Sequence, residues 1–143
     1  MSYIKGMVNQ LRKKHHTNNP FTIAKERNII VLKEPLGKIL GYYNYHRRFK
    51  FIHINNMLDE NTQKFVCAHE LGHAILHPKS NTTFLKENTL YSIDKIEVEA
   101  NSFAVELLLT DDYISEFQDT NLTIQEIAMT YGIPKCMVHL KKF

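Results

Sequence analysis

Apolar positions Ile4, Met7, Val8 and Leu11 recur at helical spacing and end in the basic cluster Arg12 to His16, which predicts an amphipathic first helix. Asn19-Pro20 supplies an N-cap and a proline at the first helical position, predicting a short helix over 20–27. Residues 29–32 read as a short buried strand. After Pro35 and Gly37, the stretches 39–45 and 49–54 are rich in aromatic and β-branched residues. Alternation within the second suits an antiparallel hairpin turning near His46-Arg47.

Asp59 can cap a long helix over 60–77, stopped by Pro78. Its middle, from Phe65 to Leu76, is apolar nearly all round, so this helix runs through the core. Residues 79–92 are polar and without periodicity, a loop by pattern. Asp94 and Glu97 have capping-box spacing ahead of a helix over 94–109. Thr110 caps a short helix through Phe117, Thr123 and Glu126 form a second capping box, Gly132 makes a turn, and Pro134 starts the last helix. No repeat, low-complexity tract or dividing linker interrupts the chain. The fold class is α+β: one domain over 1–143, a central helix packed with further helices and a small, mainly antiparallel sheet.

The 143 residues, 43% hydrophobic and 23% charged, are ordinary globular composition and argue against disorder. No apolar run reaches the roughly 20 residues of a membrane helix, and the N-terminus lacks a signal-peptide pattern, so a cytoplasmic protein is expected. Cys67 and Cys136 have neither disulfide-scaffold nor zinc-knuckle spacing. The net charge of +3 hides an asymmetry. Residues 1–50 carry 11 Lys/Arg against Glu26 and Glu34, and the remainder carries 7 against 13 Asp/Glu. Without an arginine-rich run or basic-aromatic interleaving, this reads as a solvated face balanced within the molecule rather than a nucleic-acid surface.

The chemistry concentrates in His69-Glu70-Leu71-Gly72-His73, an HExxH motif on the buried helix. Residues i and i+4 lie one turn apart on one face, so both imidazoles can reach one metal ion, with Glu70 beside them as general base. Zinc lowers the pKa of a coordinated water to about 7, making a nucleophile at neutral pH. Three ionisable groups among Phe65, Val66, Ala68, Leu71, Ala74 and Ile75 need a partner, and a metal supplies it. His77, about 12 Å from His69 along the axis, is too distant to share the ion and reads as a residue at the helix end. The next helix offers the third ligand. Glu97 and Glu99 flank its core stripe of Ile96, Ala100, Phe103, Ala104 and Leu107, and periodicity does not choose between them. Capping engages Glu97 with its own helix and leaves Glu99 free to turn toward the metal. Glu106 reads as solvated.

The stretch Ala68-His-Glu-Leu-Gly-His-Ala-Ile-Leu-His77, followed by Glu97-Val-Glu-Ala-Asn-Ser-Phe-Ala-Val-Glu-Leu-Leu108, resembles the ImmA/IrrE-type metallopeptidases. Asn19-Pro-Phe-Thr-Ile-Ala24, Asn28-Ile-Ile-Val31, Gly41-Tyr-Tyr and Ile52-His-Ile-Asn55 extend the likeness over roughly residues 3–110. Leu109-Thr110 departs from the Met-Pro that often follows the Leu-Leu pair. The resemblance implies a small zincin-like domain with Zn2+ held by His69, His73 and Glu99, with Glu97 as the alternative, and Glu70 as general base. It also implies a phage or mobile-element endopeptidase acting on a specific cytoplasmic partner, a helix-turn-helix repressor, in an anti-repressor role.

Tyr91 and His77 are candidate oxyanion donors, and strand 49–54 is a candidate edge for an extended substrate. Two competing readings remain. One is a non-catalytic anti-repressor with a structural metal. The other is a DNA-binding module built on 123–142, a helix-turn-helix-like segment whose Lys135, Lys141 and Lys142 would face phosphates. Two short helices closing the peptidase domain explain that segment without DNA.

Overall fold

The structure is a computed structural model that describes residues 2–85 and 94–143. It opens with helix α1 (Ser2–His15), which buries Ile4, Val8 and Leu11, and helix α2 (Pro20–Glu26), where the Asn19 side chain accepts from Phe21 N at 2.9 Å. Strands β1 (Ile30–Glu34), β2 (Ile39–His46) and β3 (Phe49–Asn55) follow. Arg47 and Arg48 both take positive φ, at 50° and 72°, the primed turn whose twist matches a tight hairpin. Helix α3 (Glu60–Leu76) is capped by Asp59, which accepts from Thr62 N at 2.7 Å. Strand β4 (Thr82–Leu85), helices α4 (Lys95–Leu108), α5 (Asp111–Glu116) and α6 (Ile124–Thr130), and a 3-10 helix (Lys135–Leu140) complete the described chain.

Among the described residues the sheet has four strands in the order β1-β3-β2-β4. The β2–β3 and β2–β4 pairs are antiparallel, with Tyr43 opposite Ile52, and β1 lies parallel to β3. The α+β class and the hairpin follow the sequence pattern, whereas β4 falls in the stretch read as loop. The strand over 49–54 is interior, with β1 on one side and β2 on the other, so it offers no open edge. Its main-chain groups are already spent in two ladders.

α3 packs between the sheet and α4, which is why residues Phe65 to Ala74 are buried on every face. The core runs continuously from Ile4 through Ile52, Phe65 and Phe103 to Val138. None of the described helices is long and apolar enough to cross a membrane.

After the Gly132 turn the last helix, begun by Pro134, is a 3-10 helix. Lys141 is buried, its ammonium 2.7 Å from Glu106 and 3.0 Å from Asp111, so it faces an acidic cluster and not solvent. Glu106, read from sequence as solvated, is only 3% exposed. It also accepts from Lys142 N at 2.9 Å. The periodicity of α4 could not reveal this, because the partner arrives from the last residues of the chain.

Candidate metal centre

His69, Glu70 and His73 lie in the buried middle of α3, and their ligand atoms fall within 4.8 Å of one another. The i, i+4 spacing puts both imidazoles on the face that meets α4. Gly72 lets the two helices approach: a Cβ there would stand 3.1 Å from Phe103 Cβ. That close packing brings the first turns of α4 against the histidines.

Glu97 Oε1 lies 3.1 Å from His69 Nε2 and 3.1 Å from His73 Nε2, and the two Nε2 atoms are themselves 3.1 Å apart. Glu99 instead places Oε1 3.0 Å from His77 Nε2 and accepts from the Tyr3 hydroxyl at Oε2. The structure therefore sets Glu97, not Glu99, beside the histidine pair. The capping spacing had pointed Glu97 to its own helix end. Asp94 caps α4 through Ile96 N, at 3.2 Å near solvent, while the buried imidazoles take the Glu97 carboxylate. Water can satisfy an exposed helix end, but not a buried ring nitrogen.

The electrostatics suit a cation. Asn101 Oδ1 accepts from His69 Nδ1 at 2.8 Å, which leaves the lone pair of His69 on Nε2, facing the centre. Burial pulls His69 down to about 4 against the attraction of Glu97, so the ring is neutral at physiological pH. Burial works to raise the Glu97 carboxyl, yet its contacts with His69 and His73 outweigh it and hold the group at about 2. A tetrahedral ion ligated at about 2.0–2.1 Å needs donors about 3.3–3.4 Å apart, close to the spacing observed. Two imidazoles and one carboxylate are a donor set of the kind that zinc, a borderline-soft ion, takes.

Glu70 is fully buried, and neither carboxylate oxygen has a hydrogen-bond partner among the described residues. Burial first, and then the charge of Glu97, push its pKa well above the usual carboxylate range. A buried carboxylate left without a partner beside two imidazoles adds nothing to holding the fold together, which makes it a candidate for proton transfer.

Other candidates are placed plainly. His77 directs both ring nitrogens to neighbours, Nδ1 lying 3.0 Å from His73 Nδ1 and Nε2 engaging Glu99, so no N–H is left for an oxyanion. Tyr91 lies outside the described residues. Cys67 faces the core, where burial pushes its thiol up. Sequence reasoning missed Asn101 and Tyr3. For Asn101 a signal existed, since Glu97 and Asn101 are four apart and share one helix face. For Tyr3 there was none, because its partner is 96 residues away.

The chain is 50% identical over 139 residues to "Uncharacterized immunity region protein 2" of Bacillus phage phi105, covering 96% of this chain and 88% of that protein. It is 34% identical over 142 residues to "Metallopeptidase ImmA" of Bacillus subtilis (strain 168), covering 96% of this chain and 83% of that one. Residues 24–141 match the peptidase M78 family, described as the IrrE N-terminal-like domain. The chain is thus a member of the ImmA/IrrE (M78) family of metallopeptidases.

Proposed function

We propose that this protein is a zinc-dependent endopeptidase of the cytoplasm that cuts one specific protein partner, a helix-turn-helix repressor, and so acts as an anti-repressor. His69, His73 and Glu97 hold the metal, Glu97 taking the place that the family resemblance gave to Glu99. Glu70 is the general base. The observation that carries the reading is the convergence of His69 Nε2, His73 Nε2 and Glu97 Oε1 at 3.1 Å beside the unpartnered carboxylate of Glu70. The names of the two relatives, one an immunity region protein of a phage and one a metallopeptidase, support the same assignment.

A bound zinc ion would supply a Lewis acid and lower the pKa of a coordinated water toward about 7. The chain's own residues do the rest. Asn101 holds the His69 ring by its Nδ1 proton and keeps Nε2 aimed at the centre. Glu70 would take a proton at Oε1 or Oε2 from the water that attacks the peptide carbonyl carbon and return it to the amine nitrogen as the C–N bond breaks. In the metal-free protein, burial and the charge of Glu97 both favour the protonated carboxyl. Apolar neighbours along α3, Leu71 and Ala74 among them, keep bulk water from competing for it. Of the sheet's two outer strands, β1 and β4, β4 follows α3 directly and would be the edge that an extended substrate segment pairs with.

The test begins with metal content. Protein purified without chelator should hold about one zinc per chain and lose it in Glu97→Ala. Zinc-loaded wild type, incubated with helix-turn-helix repressors from Bacillus phage immunity regions, should cut one of them at a defined bond read by mass spectrometry. Glu70→Gln should keep the zinc and lose the cleavage. Folded wild type that takes up no zinc would overturn the metal site, and equal cleavage by Glu70→Gln would overturn the mechanism.

A further inference from the structure

A second line of polar groups leads away from the candidate metal position. His73 Nδ1 lies 3.0 Å from His77 Nδ1, His77 Nε2 lies 3.0 Å from Glu99 Oε1, and the Tyr3 hydroxyl donates to Glu99 Oε2. The line joins α1, the end of α3 and the first turns of α4. The His77 and Glu99 side chains are 10% and 11% exposed, so the contacts are made largely out of water.

For a neutral His77 beside an ionised Glu99, donors and acceptors along it have one consistent arrangement. An ionised Glu99 only accepts, and the Tyr3 hydroxyl occupies its Oε2. With Tyr3 on one oxygen, the other receives a proton from His77 Nε2. A neutral His77 protonated at Nε2 presents a lone pair at Nδ1. His73 must then carry its proton at Nδ1, and its Nε2 lone pair is the one that faces His69 and Glu97. The identity of Glu99 thereby determines, through one intervening ring, which nitrogen of His73 is available to a metal.

We propose that His77, held by Glu99 and Tyr3, is a positioning residue that sets the tautomer and ring orientation of His73 as a metal ligand. This rests on the reading of His69, His73 and Glu97 as the metal shell. It makes His73 the counterpart of His69: one ligand ring is fixed by Asn101, the other by an imidazole and a carboxylate. A packing role for His77 would need only the volume of its ring, whereas the relay needs an acceptor at the Nδ1 position. Asparagine offers one, because its Oδ1 is bonded to Cγ as Nδ1 is in histidine.

The experiment measures zinc affinity by competition with a chromophoric chelator in wild type, His77→Ala, His77→Asn, Glu99→Ala and Glu97→Ala, with the visible spectrum of each cobalt-substituted form. His77→Ala should bind zinc about 10–100-fold more weakly and shift the cobalt spectrum. His77→Asn should recover most of the loss, and Glu99→Ala should fall between. His77→Ala within about twofold of wild type, or His77→Asn as weak as His77→Ala, overturns the relay. Should His77→Ala fail to fold, long-range 15N–1H correlation on zinc-loaded wild type decides the matter. A proton on His77 Nε2 and on His73 Nδ1 supports the relay, and a proton on His77 Nδ1 overturns it. Wild type that binds no zinc overturns both readings. Zinc bound by wild type, lost in Glu97→Ala and unchanged in His77→Ala overturns the relay alone.

Discussion

Glu70 is where stability and chemistry pull in opposite directions. Its carboxyl is fully buried, has no partner among the described residues, and sits near the negative Glu97. In the metal-free protein the folded state therefore holds the Glu70 proton more tightly than the unfolded chain does. Stability from that proton is complete below the unfolded carboxyl's range, near pH 4, and is lost as pH rises above it. Glutamine keeps the shape without the charge. Metal-free Glu70→Gln should melt at nearly the wild-type temperature near pH 4 and above it at pH 7, the gap widening with pH in calorimetry with chelator present. A gap independent of pH would show that Glu70 carries no such penalty. The HExxH core of this site was legible because i, i+4 spacing is a property of one helix. Glu97 was harder, because its choice between its own helix end and two imidazoles depends on how α4 docks. Local capping spacing cannot report that competition.

At the level of elements, the site depends on how closely α3 and α4 approach. Gly72 stands at that crossing, where an added Cβ would lie 3.1 Å from Phe103 Cβ and 3.2 Å from Phe103 Cγ and Cδ1. Gly72→Val adds a Cβ and two methyls at this contact and forces the helices apart, a cost of about 1–3 kcal/mol for overpacking that exceeds any gain in helix propensity. We expect a lower urea midpoint together with weaker zinc binding, since Glu97 and Asn101 move with α4. Unchanged zinc affinity in a destabilised Gly72→Val would separate the site from the helix crossing. The elements themselves were largely readable. Asn19, Asp59, Asp94, Thr110 and Thr123 all cap the helices they were expected to cap, because each cap is a contact within a few residues. β4 was not readable. Its stretch shows no alternation, and its strand character comes from main-chain pairing with β2, with Tyr43 opposite Thr82. The parallel placing of β1 beside β3, which moves strand 49–54 into the interior, is likewise a long-range fact.

Over the whole molecule, the opposed charges of the two halves are partly resolved by contacts between them. Lys5 pairs with Asp111 at 3.0 Å, and Arg12 lies 3.9 Å from Asp112, so the basic first helix meets the acidic start of α5. Those pairs are exposed on the acidic side and contribute little. Lys141 is different. It reaches Glu106 inside the fold, and with Lys5 it draws the Asp111 carboxyl below its usual range against a smaller opposing effect of burial. This contact fastens the end of the chain onto α4, the helix that carries Glu97 and Asn101. Removing one partner of a buried pair leaves the other uncompensated, so Lys141→Met should lower stability by about 3–5 kcal/mol in urea unfolding. Adding Glu106→Gln removes the stranded charge while keeping an acceptor for Lys142 N, and the double variant should recover much of the loss. If Lys141→Met costs under about 1 kcal/mol, the pair does not close the fold, and Lys141 would again be free to serve a partner. The larger loss, relieved in the double variant, would identify the C-terminal segment as the clasp of the α4 side of the metal centre rather than a surface for DNA.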